Sequence, residues 1–413
     1  MRITSPSDFY LLLVSILGIT FGVFVLAEAL ARLWVRCDLR YYVRRPYSRQ
    51  VFATLPEVSP YLRNPVETSC NSDGERGNEV PKVAKGKLYR VLAVGGSFVE
   101  CNMITQEKSW PAALERILRR HLHSLDAEDV HVGNIGVPEM DAQALALTLE
   151  KVLPRYRDLD LILFGTGIAC AIRWLLEGAR SSCAATPLPA EKCFEQYPDM
   201  QFAWFKLRQT ALGEVAKRIW YRQKRRSAVL SPVGKKLIAC ARQRRKMNGH
   251  LSPLTSDPFA MLLGLEKGLR QSIELAKGKA RRIIFVRQPW FYKDQMTERE
   301  DCNLWMGKIG GARNDGEWKF LSNTALFYLV SLVDEVVVRV AEEYGLETVD
   351  LQQLLETRLG VFYDQGHVTE EGSAQVAHHV ASQITLGHSN AEPYRPTDSS
   401  FNTTPRARTL TLN

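Results

Sequence analysis

Short apolar runs alternate with amphipathic stretches from residue 87 onward. The apolar runs predict five strands, at 89–94, 130–135, 159–164, 282–286 and 347–350. Segments with helical periodicity lie between and after them, at 110–118, 142–153, 325–344 and 373–384. Strands that alternate with helices indicate a mostly parallel sheet with helices on both faces, whose ligands bind beyond the carboxyl ends of the strands. The pattern therefore predicts an α/β protein, a three-layer α/β/α sandwich around a five-stranded sheet.

The longest apolar run lies near the amino terminus, where residues 9–27 carry no charge. A helix of this length spans roughly 30 Å, the thickness of the hydrocarbon core of a bilayer. A cleaved signal peptide and a buried core helix are the alternatives, but the run is longer than a typical signal sequence and no small-residue cleavage site follows it. We therefore predict a single-pass membrane anchor at residues 1–37, with residues 9–31 in contact with the membrane.

The remaining chain divides by composition. Residues 38–86 are rich in Pro, Gly and Asn with little periodicity, which predicts an extended stalk. The main domain is predicted to cover residues 87–386. Within it, residues 176–280 form an insertion longer than ordinary connections, which we expect to be helical and to cap the domain. The polar residues 387–413 predict a disordered tail.

Positive charge exceeds negative charge, with 54 Lys and Arg against 45 Asp and Glu, a net charge of +9. Such a chain tends toward anionic partners. The charge is concentrated in residues 217–246, which carry 12 Lys and Arg and no acid. A solvated helical face and a contact with anionic lipid or polysaccharide both fit this segment. A nucleic acid partner is not expected for a chain with a membrane anchor.

The 8 cysteines show no spacing typical of a zinc or thioredoxin-like site. We therefore predict neither a metal nor another cofactor. Cys183 and Cys193 flank a short Pro-containing loop and could form a disulfide if this part lies outside the cytoplasm. Two unrelated thiols fit the sequence equally well.

Two short motifs could carry chemistry. Ser97 follows the first predicted strand on a Gly-Gly turn, where a sharp bend would expose its hydroxyl at the edge of the sheet. Such a turn can also bind phosphate. Asp364 and His367 lie three residues apart before the last helix, a spacing that lets the carboxylate bind one imidazole nitrogen while the other accepts a serine proton. The alternative is a surface loop leading into a helix capped by Thr369.

These motifs resemble the sequence blocks of SGNH hydrolases, or GDSL esterases, of the bacterial type with an amino-terminal anchor. The first block, GDSF, matches residues 95–98, with Gly96 in place of the aspartate. The second block, Asn-x-Gly, matches residues 134–136. The last block, Asp-x-x-His followed by Thr-x-x-Gly, matches residues 364–372. The resemblance covers roughly residues 70–385 apart from the insertion, and implies a flavodoxin-like sheet.

The resemblance also implies roles for individual residues. Ser97, Asp364 and His367 would form a catalytic triad, and the NH groups of Ser97 and Gly136 would line the oxyanion hole. The third block, Gly-x-Asn-Asp, is not matched, because Gly167 stands where the family has an asparagine that donates to the oxyanion. Losing such a donor costs on the order of 3 kcal/mol. An asparagine at 167 would restore it, provided that the backbone there does not need a positive φ.

The function implied by the resemblance is a serine esterase at the cell envelope. It would remove acyl groups, with acetyl expected, from a carbohydrate or a lipid-linked substrate. An O-acyltransferase for an exported polysaccharide would use the same acyl-serine. The missing asparagine favours a third possibility, a catalytically inactive binding protein. Anchored relatives carry the domain outside the cytoplasmic membrane, in the periplasm, and we expect the same here, although the arginines after the apolar run favour the cytoplasm.

Overall fold

The computed structural model describes most of the chain. The described residues are 6–38, 40–52, 60–82, 87–165, 167–181, 190–198, 202, 204, 206, 209–223, 229–230, 233–247, 251–310 and 318–388. Cys183 and residues 389–413 lie outside the described residues, so the disulfide and the disordered tail stay predictions.

The strands and helices follow one another along the chain with few long gaps. The strands are β1 (Arg49–Phe52), β2 (Val66–Ser69), β3 (Leu88–Gly95), β4 (Asp129–Asn134), β5 (Leu159–Gly165), β6 (Val229–Leu230), β7 (Ala280–Arg287), β8 (Lys308–Ile309), β9 (Lys319–Phe320) and β10 (Glu347–Asp350). The α-helices are α1 (Pro6–Asp38), α2 (Ser97–Glu100), α3 (Trp110–Leu118), α4 (Ala142–Val152), α5 (Ile168–Leu176), α6 (Ala190–Cys193), α7 (Ala211–Gln223), α8 (Val233–Met247), α9 (Phe259–Lys277), α10 (Glu298–Asp301), α11 (Asn323–Glu343), α12 (Leu351–Leu354) and α13 (Glu370–His388).

The central sheet has five parallel strands in the order β10-β7-β5-β3-β4. Counted along the chain, this is the doubly wound 2-1-3-4-5 order of flavodoxin-like folds. The middle strand, β5, is buried at every position, as expected for a parallel strand covered on both faces. The predicted α/β class and the five-stranded sheet are confirmed.

Successive residues of a strand face opposite sides of a sheet, and β3 supplies both cores in this way. Leu92 and Val94 lie in the core formed with α4, α5, α9 and α11. Val91 and Ala93 lie in the core formed with α3 and α13. The result is a three-layer sandwich in which the carboxyl ends of β3, β5 and β7 meet at one edge.

The predicted extended stalk is wrong for the described part of residues 38–86. Strand β1 pairs antiparallel with β2 and parallel with β6. Glu75 is fully buried; the Tyr156 hydroxyl donates to its Oε1 at 2.7 Å, and His131 Nε2 lies 2.7 Å from its Oε2. The segment therefore packs into the body of the protein. Its composition hides this because side-chain hydrogen bonds attach part of it, and its buried apolar residues, such as Val43 and Val66, do not recur with a regular period.

The described part of the insertion predicted at 176–280 is mostly helical, with the short strand β6, but not all of it forms a cap. Helix α9 is a core helix, whose Leu265 and Leu269 are buried in the same cluster as Leu145 of α4. Helix α8 does lie over the edge of the sheet, where the Arg242 guanidinium donates to the carbonyl of Tyr363 at 2.9 Å. The cap therefore ends before α9 begins.

Among the described residues, α1 is the one helix long and apolar enough to cross a membrane, over 10–35. Its first turns are exposed, with Leu11 and Ile19 each 67% accessible. Glu28, in contrast, is fully buried and accepts hydrogen bonds from Arg32 Nε and from the NH groups of Ala211 and Leu212 at the start of α7, at 2.9 to 3.0 Å. The last turns of α1 are therefore attached to the body of the protein.

Candidate active site

Ser97 lies at the carboxyl edge of the sheet because of a close approach between two strands. Gly95 has a φ of +154°, and a Cβ atom there would lie 2.1 Å from the carbonyl oxygen of Gly165 on β5. The Gly96 NH donates to that same oxygen at 3.2 Å. Only glycine fits at position 95, so the chain turns directly from β3 into α2, whose first residue is Ser97.

The structure brings Ser97, His367 and Asp364 together in one hydrogen-bonded chain. Ser97 Oγ lies 2.7 Å from His367 Nε2. His367 Nδ1 lies 2.9 Å from both carboxylate oxygens of Asp364. This is the arrangement in which an imidazole can take a proton from a serine hydroxyl while a carboxylate orients and stabilises the resulting imidazolium.

The turn between Asp364 and His367 is shaped by the carboxylate itself. Asp364 Oδ1 accepts from the NH groups of Gly366 and His367, at 3.0 and 2.9 Å. This short turn thus fixes the position of the Asp364 carboxylate relative to the His367 ring. After it, the Thr369 hydroxyl accepts from the Gly372 NH at 3.3 Å and caps α13.

Burial and neighbouring charges have opposite effects on the pKa values of Asp364 and His367. Burial favours the neutral form of Asp364, but the charge of His367 and the donated hydrogen bonds outweigh it, so the pKa of Asp364 lies below its ordinary value. Burial also lowers the pKa of His367, but the charge of Asp364, their hydrogen bond and the charge of Glu100 raise it above its ordinary value. The pair is therefore arranged to stabilise an imidazolium.

Trp305 is a site residue that the sequence did not identify. Its indole Nε1 donates to Asp364 Oδ2 at 2.8 Å, and its backbone NH donates to Gln365 Oε1 at 3.0 Å. It comes from an irregular segment 59 residues before Asp364. No motif or periodicity marks such a contact.

Glu100 is a second residue that the sequence did not identify. It is buried beneath Ser97 and forms an ion pair with Arg44. Burial raises the pKa of Glu100 above its ordinary value, although Arg44, Arg76 and His367 act in the opposite direction. The Arg76 guanidinium donates to the carbonyl of Glu100 and, at 2.6 Å, to that of Ile104. Arg44 and Arg76 therefore hold the carboxyl end of α2 in place.

Gly136 is not placed in an oxyanion hole. Its NH donates to Asn134 Oδ1 at 2.9 Å, and the Asn134 amide donates to the Val99 carbonyl at 2.8 Å. A Cβ atom at Gly136 would lie 2.5 Å from the Glu100 nitrogen. The Asn-x-Gly motif therefore supports α2 from behind, and its local turn occupies the NH that was expected to face the substrate.

An asparagine at position 167 was expected to restore the donor only if the backbone there does not need a positive φ. Gly167 does not meet this condition. Its φ is +132°, and a Cβ atom there would point toward Val333 and Val337 of α11, at 3.1 and 3.4 Å. An asparagine would be strained at this φ, and its side chain would be directed into the apolar packing of α11. The substitution is therefore not expected to supply an oxyanion donor.

Ser97 and His367 open into a cavity of about 500 Å³. The other polar side chains in its lining are Glu139, Gln288 and Lys308. Most of the remaining wall is apolar, with side chains from α5, α8 and the segments before α4, after β7, before β8 and before β9: Met140, Ile168, Ile172, Leu175, Leu176, Ala241, Trp290, Trp305, Met306 and Trp318. Within the part of the chain that the structure describes, no group of three or more His, Cys, Asp or Glu side chains could bind a metal ion.

Comparison with known proteins gives only distant likenesses. No protein-family model matches the sequence. No curated protein matches it either. The fold is similar to that of a lipolytic protein of the G-D-S-L family from Veillonella parvula DSM 2008, at 12% identity over 72% of this chain and 99% of that chain, with a TM-score of 0.35.

Two further solved structures are similar at the same level. One is a carbohydrate acetylesterase family member from Sinorhizobium meliloti, at 12% identity over 72% of this chain and 99% of that one, TM-score 0.34. The other is Axe2, an acetylxylan esterase from Geobacillus stearothermophilus, at 14% identity over 75% and 97%, TM-score 0.37. Likenesses this distant do not assign an activity or a site to this chain.

A base that must be neutral to act loses activity as the pH falls through its pKa. Because the pKa of His367 lies above its ordinary value of 6.5, we expect the acid limb of kcat/KM for an activated ester to have its midpoint above that pH. Glu100→Gln removes a charge that raises this pKa, so it should move the midpoint to lower pH. The control, Glu266→Gln on α9, should not. A Glu100→Gln profile that coincides with the parent's would contradict this account of the site.

Proposed function

We propose that this chain is a serine esterase that cleaves acyl esters of a carbohydrate or a lipid-linked substrate. The observation that supports this most strongly is the continuous hydrogen-bonded chain from Ser97 through His367 to the buried Asp364, beside a cavity large enough for a substrate. Chance proximity rarely provides a nucleophile, a base and an orienting carboxylate in this order.

The reaction would proceed in two steps. Ser97 Oγ bonds to the acyl carbon as His367 Nε2 takes the hydroxyl proton, and Asp364 stabilises the imidazolium. His367 then gives the proton to the leaving alcohol, which departs as the carbonyl reforms and leaves an acyl-serine. Water, activated by the same imidazole, attacks the acyl-serine, and Ser97 leaves with the proton returned.

The oxyanion would be stabilised by backbone NH groups other than that of Gly136, which binds Asn134 Oδ1, because position 167 carries no asparagine. Ser97 begins α2, and Ile168 and Ala169 begin α5 at the wall of the cavity. The first NH groups of a helix have no partner within it and lie at its positive end. We assign the hole to the NH of Ser97 and the first turn of α5.

The acceptor of the acyl group distinguishes the esterase from an O-acyltransferase. Both use the same acyl-serine, and water or a sugar hydroxyl resolves it. Product analysis with and without a glycan acceptor separates them. An acylated glycan that forms only with the acceptor present would assign the chain to the transferases.

Replacing the nucleophile tests the proposal directly. We expect Ser97→Ala in the full-length protein to lower kcat for a p-nitrophenyl ester by at least about 10³-fold, because the acyl intermediate forms on the Ser97 hydroxyl. The matched control is Ser331→Ala, whose hydroxyl donates to the Phe327 carbonyl on α11 and lies away from the cavity. If the parent shows no hydrolysis while its circular dichroism matches a folded α/β protein, the catalytically inactive binding protein replaces the esterase.

We further propose that α1 is an uncleaved membrane anchor and that the domain lies outside the cytoplasm. In support, the exposed apolar turns of α1 continue without a break into the turn that contains the buried Glu28. Beside this junction α7 exposes Ile219 and Trp220, and the Arg218 guanidinium lies 5.7 Å from the Trp34 ring. Aromatic and basic side chains at the end of a span suit a membrane interface, so these contacts support the anchor. The placement of the domain outside the cytoplasm rests on the resemblance to anchored SGNH hydrolases alone.

The orientation can be measured with fusions at the carboxyl end. A reporter that is active only outside the cytoplasm should give signal, because the proposed orientation places everything after residue 31 on that side of the membrane. A reporter that is active only in the cytoplasm should stay silent. The reverse result would place the domain inside and remove the basis for the Cys183–Cys193 disulfide.

A further inference from the structure

One face of α5 forms a long apolar wall beside the catalytic residues. Ile168, Ile172 and Leu175 line the cavity from successive turns of this helix, since residues four and three apart lie on one face. At 1.5 Å per residue, this wall extends for roughly 10 Å from the turn next to β5. β5 pairs directly with the strand that leads to Ser97, so the wall begins close to the nucleophile.

The rest of the cavity lining is also mostly apolar, and much of it comes from segments outside the parallel sheet. Ala241 of α8 lies over the cavity, and Trp305 and Trp318 add aromatic surface. The Trp318 ring is contacted by two cations, with Lys308 Nζ 3.6 Å and the Arg244 guanidinium 4.6 Å from its centroid. The Trp318 ring thus presents an apolar surface to the cavity, while the charged groups of the two cations can stay in contact with water.

The cavity is much larger than an acetyl group requires. About 500 Å³ is the volume of a site for a drug-sized ligand. A two-carbon acyl group would leave most of the apolar wall without contacts, and such walls stabilise a ligand only through contact and exclusion of water. The cavity instead suits a linear apolar chain that runs along α5.

We propose, on the basis of the proposed esterase function, that this cavity binds the acyl part of the substrate and that the natural acyl group is a medium-chain fatty acyl group. Ser97 Oγ bonds to its carboxyl carbon, and the chain lies along Ile168, Ile172 and Leu175. This departs from the acetyl group expected from the sequence resemblance.

The test is a chain-length series on the full-length protein in detergent. The esters are p-nitrophenyl acetate, butyrate and octanoate, below their own micelle-forming concentrations. Each methylene placed in an apolar site contributes about 0.8 kcal/mol, or roughly fourfold. We expect kcat/KM to rise by about that factor per methylene from acetate toward octanoate.

Narrowing the cavity should reverse this preference. Ile172→Trp on α5, and Ala241→Trp on α8, should each lower the octanoate-to-acetate ratio of kcat/KM by about tenfold or more, since they remove room for at least two methylenes. The control, Leu263→Trp, changes a half-exposed residue on α9 and should leave the ratio unchanged. A ratio is used because partial misfolding lowers both rates together.

Three outcomes would overturn the proposal. Ser97-dependent hydrolysis with no dependence on acyl length in the parent would refute the acyl site and leave the esterase intact. So would a length dependence that follows the alcohol of a series of alkyl acetates instead of the acyl group. Absence of Ser97-dependent hydrolysis for every ester would refute the esterase and, with it, the acyl site.

Discussion

The Asp364 carboxylate is almost completely buried, with 1% of its surface accessible. An ionised carboxylate in such a place is costly unless several donors replace the water it has lost. The fold supplies them from two directions: the NH groups of Gly366 and His367 and the His367 ring on one side, and the Trp305 indole on the other. Meeting this requirement shapes the turn and orients the imidazole toward Ser97.

Segments outside the parallel sheet support the two ends of the hydrogen-bonded chain from Ser97 through His367 to Asp364. Behind Ser97, Arg44 and Arg76 bind the side chain and the carbonyl of Glu100 at the end of α2. At the other end, Arg242 of the basic insertion donates to the carbonyl of Tyr363, the residue before Asp364. Part of the positive charge therefore serves as hydrogen-bond donors to the segments that carry Ser97 and Asp364, in addition to any role at an anionic surface.

The sheet could be predicted, and so could the meeting of Ser97, His367 and Asp364 at its edge, because both depend on local patterns. Apolar runs mark parallel strands, and parallel strands bring Ser97 and the Asp364 turn to one edge. The other contacts depend on groups far apart in the chain or on backbone geometry. Trp305 reaches Asp364 from an irregular segment, and the Gly136 NH binds its own Asn134 turn. The Trp305 contact has no periodic or motif signature, and neither do most contacts of residues 38–86. The Asn-x-Gly motif is visible in the sequence, but the direction of its Gly136 NH depends on the backbone turn.

The central claim is that Ser97 is the nucleophile of an ester-cleaving site. Labelling with a fluorophosphonate, which reacts only with an activated serine, tests it without knowledge of the substrate. The account predicts stoichiometric phosphonylation of the folded full-length protein, located by peptide mass spectrometry on Ser97 and absent after His367→Ala. Phosphonylation at another residue, or no phosphonylation of the folded protein, would contradict it.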